Sequence, residues 1–240
     1  MKEVLLIAEN GKNMAVKVEE IVERYPRLYH MAEADTWKSI KRYGLMSTST
    51  LLDFFEITGE EREALESAHR PESVKITHPR YGSAVIRDQK PMNDKDLIKC
   101  LGDGLTPRQW YENLNQYVFF WLTRERLLTL LNAKAYRGKR HCVLTIETAP
   151  LLKKYEEKVM LTAMNSGNTK PFPHPRGNAT FLPLDKFPYQ ERLKKGSKQN
   201  AIVEFAVKSA VPDIAKYVIK VDHMIGDEVF ENIYERQIRV

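Results

Sequence analysis

Two kinds of periodicity divide this chain, and their order limits the folds open to it. Helical spacing dominates the first half. Met14, Val18, Ile21 and Val22 share one helical face that Pro26 ends,. Asp35 or Thr36 can cap a helix running to Tyr43, with Gly44 as its stop,. Residues 49–69 read as helical with a break at Thr58-Gly59, as do 94–100, 106–115 (Thr106 as cap, Pro107 in first position) and 123–131,. Strand-like runs dominate later: Tyr117–Leu122, His141–Glu147, Ala201–Val207 and Tyr217–Val221. A hairpin joining Val74–Ile76 to Ser83–Arg87 interrupts the helical half,. Helices gathered early and strands late predict one mixed α+β domain.

Two regions depart from these patterns. Residues 170–190 carry Pro171, Pro173, Pro175, Pro183 and Pro188, and are expected to form a long, weakly structured excursion of the kind that is often functional,. Residues 224–240 are expected to be an amphipathic helix or an arm.

No apolar run approaches the roughly 20 residues that span a bilayer, and Val4–Ala8 is too short for a signal-peptide core,. No membrane association and a cytoplasmic setting are therefore expected. Cys100 and Cys142 form no C-x-x-C pair, and His69, His78 and His141 read as surface or structural residues,. Neither a metal site nor a disulfide is expected. The formal charge of +6 is compatible with a polyanionic partner, although the basic residues are dispersed among acids,.

Three residues stand out chemically. Glu204 sits between Ile202, Val203, Phe205 and Val207, where an acid is costly unless it is exposed, paired or functional,. His30, between Leu28-Tyr29 and Met31, can meet a ligand hydroxyl or merely satisfy backbone groups. Arg87, followed by Asp88, reads equally well as an exposed ion pair,. Taken singly, each leaves its structural and functional readings open.

Their order along the chain resembles the ADP-ribosyltransferase superfamily, and within it the DarT-like transferases that modify nucleic-acid bases. Leu28-Tyr29-His30-Met31, followed by a helix closing in Tyr43-Gly44-Leu45, is similar to the opening strand of that family. The aromatic strand Val118-Phe119-Phe120-Trp121 with Arg124 beyond it is a second match. Leu161-Thr162-Ala163-Met164-Asn165 with Gly167-Asn168 resembles the turn before the target loop. Ala201–Val207, with Val211-Pro212 after it, resembles the strand that carries the catalytic glutamate.

The resemblance covers residues 25–222, with 1–24 as an N-terminal strand and helix extension and 223–240 as a C-terminal tail. It implies a single domain with a split mixed or antiparallel β core, NAD⁺ as co-substrate, and no metal. Glu204 would stabilise the positive charge developing as the nicotinamide–ribose bond breaks. Arg87, or else Arg124, would neutralise the pyrophosphate. Tyr29, His30, Met31, Tyr43, Trp121 and Asn165 would hold the dinucleotide, which has no G-x-G-x-x-G to bind it,.

The acceptor implied is a nucleic-acid base. It would be met by Lys170, Arg176 and Phe181 on the excursion, where cations alternate with aromatics,. Many superfamily members carry Glu or Gln two residues before the catalytic glutamate. Ile202 stands there instead, and Gln199 is the substitute candidate. A toxin or defence role would bring an antitoxin or a reversing hydrolase as partner; oligomeric state is unspecified. Two rival readings remain: a non-catalytic basic nucleic-acid-binding module, and an NAD-dependent RNA 2′-phosphotransferase-like enzyme.

Overall fold

The computed structural model describes residues 16–195 and 201–237. Val4–Ala8, Met14 and Gln199 lie outside the described residues.

In chain order the elements are helix α1 (Val18–Arg24), strand β1 (Arg27–Glu33), helix α2 (Trp37–Tyr43), strand β2 (Leu45–Met46) and helices α3 (Thr48–Phe54) and α4 (Gly59–Glu66). A hairpin of β3 (Val74–His78) and β4 (Gly82–Ile86) follows. Next come α5 (Asp94–Ile98), α6 (Pro107–Leu114), β5 (Tyr117–Phe120), α7 (Arg124–Leu131), β6 (Arg140–Glu147) and α8 (Thr148–Tyr155). The last third carries β7 (Val159–Thr162), β8 (Leu182–Pro183), α9 (Tyr189–Lys195), β9 (Glu204–Lys208), β10 (Ala210–Val211), β11 (Val218–Ile225) and β12 (Glu228–Glu235).

Helix starts follow local chemistry. The side chains of Ser47, Asn93, Thr106 and Thr123 each accept a bond from a first-turn backbone N–H of α3, α5, α6 and α7,. In α6, Gln109 completes a capping box and Pro107 occupies the first turn,. The break expected at Thr58-Gly59 separates α3 from α4.

The β core is split into two four-stranded sheets, ordered β1-β6-β11-β12 and β5-β9-β7-β8, with every strand pairing in them antiparallel. The sheets meet where Tyr29 and Trp121 exchange backbone bonds of 2.9 and 2.8 Å. The largest apolar cluster draws on both sheets, with Leu28, Leu144 and Val221 from the first and Val159, Leu161, Phe205 and Val207 from the second. Helices α1 and α8 add Ile21, Leu151 and Leu152. This is a mixed α+β domain with antiparallel sheets.

The C-terminal expectation needs correction. Residues 228–235 form neither a helix nor a free arm: β11 runs past residue 222, and β12 pairs with it as the outer strand of the first sheet. Val229, Phe230, Ile233 and Tyr234 have a spacing that one helical face also accepts. Pairing with β11 across the Gly226-Asp227 turn decides otherwise, with Gly226 at φ +59° supplying the left-handed position,.

Gly44 ties two distant segments together. Its φ of +88° and ψ of 175° belong to a region reserved for glycine, and an added Cβ would lie 2.5 Å from the Pro212 Cα,. Leu45 and Met46 then pair with Val211 and Ala210. Gly44→Ala is expected to destabilise the protein by about 3 kcal/mol or more, through backbone strain plus overpacking. Urea unfolding would measure this, and a change within about 0.5 kcal/mol would refute the close approach.

Candidate active site

A cavity of about 400 Å³ is lined from both sheets: His30 and Glu33 on β1, Phe119 and Trp121 at β5, and Glu204 at the start of β9. Tyr43 and Arg87 close other sides, as does the turn of Asn165, Ser166 and Gly167. This size lies within the range of ordinary ligand sites.

Glu204 is only 6% exposed. Its register partner on β7 is Thr162, and its Oε2 accepts from the Thr162 hydroxyl (3.1 Å) and from the Ser166 N–H (3.1 Å). Oε1 has no hydrogen-bond partner among the described residues. Burial raises the pKa of this carboxyl to about 6; the bonds from Ser166 and Thr162 and the positive charge of Arg176 oppose the rise,. Thr162 contributes to the balance through its single proton. Its hydroxyl lies 2.5 Å from Met164 O and 3.1 Å from Glu204 Oε2. Protonated Glu204 can donate to Thr162 while Thr162 donates to Met164. Ionised Glu204 must compete for that proton.

His30 is neutral. Its Nδ1 lies 2.8 Å from Phe119 O, and a carbonyl can only accept, so Nδ1 carries the proton and Nε2 presents a lone pair,. Burial, reinforced by the Arg87 charge, holds its pKa down at about 4 despite the Phe119 bond.

Arg87 follows β4 and sits among polar neighbours. Its guanidinium lies 3.7 Å from Glu33, 3.4 Å from His141 Nδ1, and over the Tyr136 ring at 5.2 Å. It is a partly neutralised cation on the cavity wall. Arg70, which sequence reasoning missed, is a second. It is buried, donates to Arg87 O (2.8 Å), Leu65 O and Asn115 Oδ1 (3.3 Å), and lines the same cavity. Desolvation lowers its pKa to about 10, against the pull of Asp88. No local motif announces Arg70. It follows Ala68-His69 in an ordinary polar stretch, and tertiary contact alone buries it.

Of the residues singled out from sequence, Glu204, His30, Met31, Tyr43, Arg87, Trp121 and Asn165 line this one cavity. Tyr29 and Arg124 do not. Tyr29 contributes its backbone to the sheet junction, and its ring packs with Trp121 against the Met31–Leu127 cluster on the α7 side. Arg124 begins α7, and its charge acts on the Tyr29 hydroxyl.

Two acceptor expectations also fail on burial. Phe181 is 5% exposed and stacks on Tyr117 at 4.5 Å, because this part of the excursion closes a second apolar cluster around Trp110. Arg176 is 3% exposed, with its donors turned onto backbone carbonyls. Lys170 is exposed, as is Phe172 at 74%.

Chemically, the cavity offers a buried carboxylate with one free oxygen, a neutral imidazole acceptor, two guanidinium groups and aromatic walls. Among the described residues no group of three His, Cys, Asp or Glu is placed to hold a metal, and no helix is long and apolar enough to cross a membrane.

Glu204 makes stability depend on pH. Its folded pKa of about 6 lies above the ordinary 4.5. Its favourable contribution is therefore complete below pH 4.5 and is lost as pH rises through 6, a change of about 2 kcal/mol. Glu204→Gln should match wild type in urea stability near pH 4 and exceed it by up to about 2 kcal/mol at pH 8. A difference that does not vary with pH would rule out burial of an ionising group here.

A family described as of unknown function, DUF7002, matches residues 26–218. No curated protein matches. Among solved structures, the chain is similar to Thermus sp. 2.9 DarT in complex with NAD⁺, with 13% sequence identity and a TM-score of 0.38 over 82% of this chain and 81% of that one. The family match spans most of the 240 residues, and the chain belongs to the DUF7002 family of unknown function.

Proposed function

We propose that this protein is an NAD⁺-consuming mono-ADP-ribosyltransferase with Glu204 as its catalytic carboxylate. The observation that carries the reading is the buried Glu204, held through one oxygen with the other free, on the wall of a ligand-sized cavity. NAD⁺ supplies a ribose whose anomeric carbon bears nicotinamide as a ready leaving group. A fixed carboxylate in a low-dielectric cavity is well suited to stabilise the positive charge developing at such a carbon, because it needs little reorganisation.

The remaining lining residues fit the donor. The His30 Nε2 lone pair can accept from a ribose hydroxyl. Tyr43 and Trp121 offer aromatic surface to nicotinamide,. Arg87 and Arg70 are cations suited to a pyrophosphate, with Arg87 the better placed because its present carboxylate neighbour, Glu33, is a loose 3.7 Å contact,. His30, Tyr43, Trp121, Asn165 and Glu204, from five separate segments, line this one cavity, which supports the reading.

The acceptor belongs to the same proposal as a nucleic-acid base, and a toxin or defence effector of the cytoplasm is the setting that suits it. Net charge of +6 and the exposed Lys170, Phe172, His174 and Lys186 on the excursion support this,. Phe172 takes the place expected of Phe181.

Nicotinamide release from NAD⁺ by the purified protein, with and without single-stranded DNA or RNA, tests the reading. Glu204→Gln should lower kcat by about 100-fold or more while the protein stays folded. Arg87→Ala should instead act mainly on KM for NAD⁺, raising it about 10-fold or more. Steeply salt-dependent nucleic-acid binding without nicotinamide release would replace the transferase with a binding module.

A further inference from the structure

The excursion after β7 contains a charged side chain that the proposed chemistry leaves unused. Arg176 is almost wholly buried, and its guanidinium makes no ion pair among the described residues. Its donors go to three carbonyls instead: Ser166 O (2.8 Å), Asn168 O (2.8 Å) and His174 O (3.1 Å). The guanidinium also lies 5.7 Å from the centroid of the fully buried Trp110 ring. Its backbone is tied on the other side, donating to Cys100 O and accepting from the Gly102 N–H, each at 2.8 Å. A guanidinium costs a great deal to bury, and three neutral carbonyls compensate it only in part.

Two of these carbonyls, Ser166 O and Asn168 O, belong to the turn that serves Glu204. Ser166 is held at both ends: its N–H donates to Glu204 Oε2 and its O accepts from Arg176 Nη1. A buried cation and a buried anion thus flank one turn without touching each other. Burial lowers the Arg176 pKa, and Cys100 and then Glu204 pull it back; after the Ser166 and Thr162 bonds, the Arg176 charge also pulls the Glu204 pKa down.

Other charged groups stand around Glu204. From β1, the hairpin exit and the α4–β3 connection, His30, Glu33, Arg87, Asp88 and Arg70 line the same cavity. On the chain side, Arg126 donates to Val203 O (2.9 Å) and Arg192 to Ala201 O (2.6 Å). Arg176 bonds Ser166, the residue whose own N–H bonds the carboxylate.

We propose that Arg176 is a positioning residue for Glu204. It holds the Ser166–Asn168 turn so that the Ser166 N–H meets Oε2, and it places a positive charge behind the carboxylate. Arg176 touches neither substrate nor the reacting atoms. Its consequence for turnover rests on the transferase reading, whereas the positioning itself does not.

The test uses the full chain. Glu204 is titrated by NMR on side-chain ¹³C-labelled glutamate, assigned by difference from Glu204→Gln, in wild type, Arg176→Met and Arg176→Lys, together with the Ser166 amide shift. Arg176→Met should raise the Glu204 midpoint by about one pH unit and uncouple the Ser166 amide from that titration. Arg176→Lys keeps the charge without the planar fork, so it should restore most of the midpoint while leaving the amide uncoupled.

A folded Arg176→Met protein with an unchanged midpoint and a coupled amide overturns the proposal. If Arg176→Met does not fold, Arg176→Lys decides through the Ser166 amide, whose unchanged coupling would overturn it. These readouts need no NAD⁺. Where wild type releases nicotinamide, Arg176→Met should lower kcat about 10-fold or more at pH 7, with a smaller effect on KM and partial recovery toward pH 8. Where wild type releases none, the transferase assignment fails and the titration still judges Arg176.

Discussion

A carboxyl group inside a protein is retained only where hydrogen bonds or opposite charge offset its lost hydration, and Glu204 meets that condition through the pairing of β9 with β7,. The register that sets Thr162 opposite Glu204 supplies one hydroxyl, and the turn leaving β7 returns the Ser166 N–H to the same oxygen. Were β9 shifted by one residue, its alternating side chains would exchange faces and neither partner would be in place. The Thr162–Glu204 pairing therefore binds sheet register and site chemistry into one constraint.

The rest of the fold serves that arrangement from a distance. The Tyr29–Trp121 backbone bridge fastens the first sheet to β5, the neighbour of β9, and carries His30 to the cavity that Glu204 faces. Gly44 allows the end of α2 to lie against Pro212, so that Tyr43 closes the cavity from a third direction. Arg70 staples the exit of the β3–β4 hairpin by donating to Arg87 O, while Gln89 N–H donates to Arg70 O at 2.6 Å. Each wall thus comes from a different sequence region, and each junction is a backbone contact with little freedom.

Much of the architecture was legible from local chemistry. The cap at Thr106, the helix start near Thr123, the stop at Gly44 and the break at Thr58-Gly59 fall where the helices begin and end. Burial around Ile202, Phe205 and Val207 makes Glu204 conspicuous in an apolar run, and ordered motifs led to His30, Tyr43 and Trp121 around the same cavity.

The excursion read less well. Its alternation of cations and aromatics looks alike whether a side chain meets solvent or the core, yet Phe181 and Arg176 point inward while Lys170 and Phe172 point out. The C-terminal strand was misread for a related reason. Its apolar spacing fits two periods, and the Gly226-Asp227 turn signal outweighs the helical one only once β11 is present to pair with,.

Sequence by itself determined the main helices of the first half, the α+β class and the identity of the unusual acid, because caps, turns and apolar periodicity act over a few neighbouring residues. Tertiary structure alone decided which cations remain at the cavity, that Arg70 joins it, that Arg124 stays away, and that Arg176 turns onto the Ser166–Asn168 turn. Those outcomes depend on which carbonyls and carboxylates are brought within about 3 Å, the reach of a hydrogen bond, by segments far apart in the chain. Long basic side chains reach alternative partners with similar ease, so their local sequence does not choose among them.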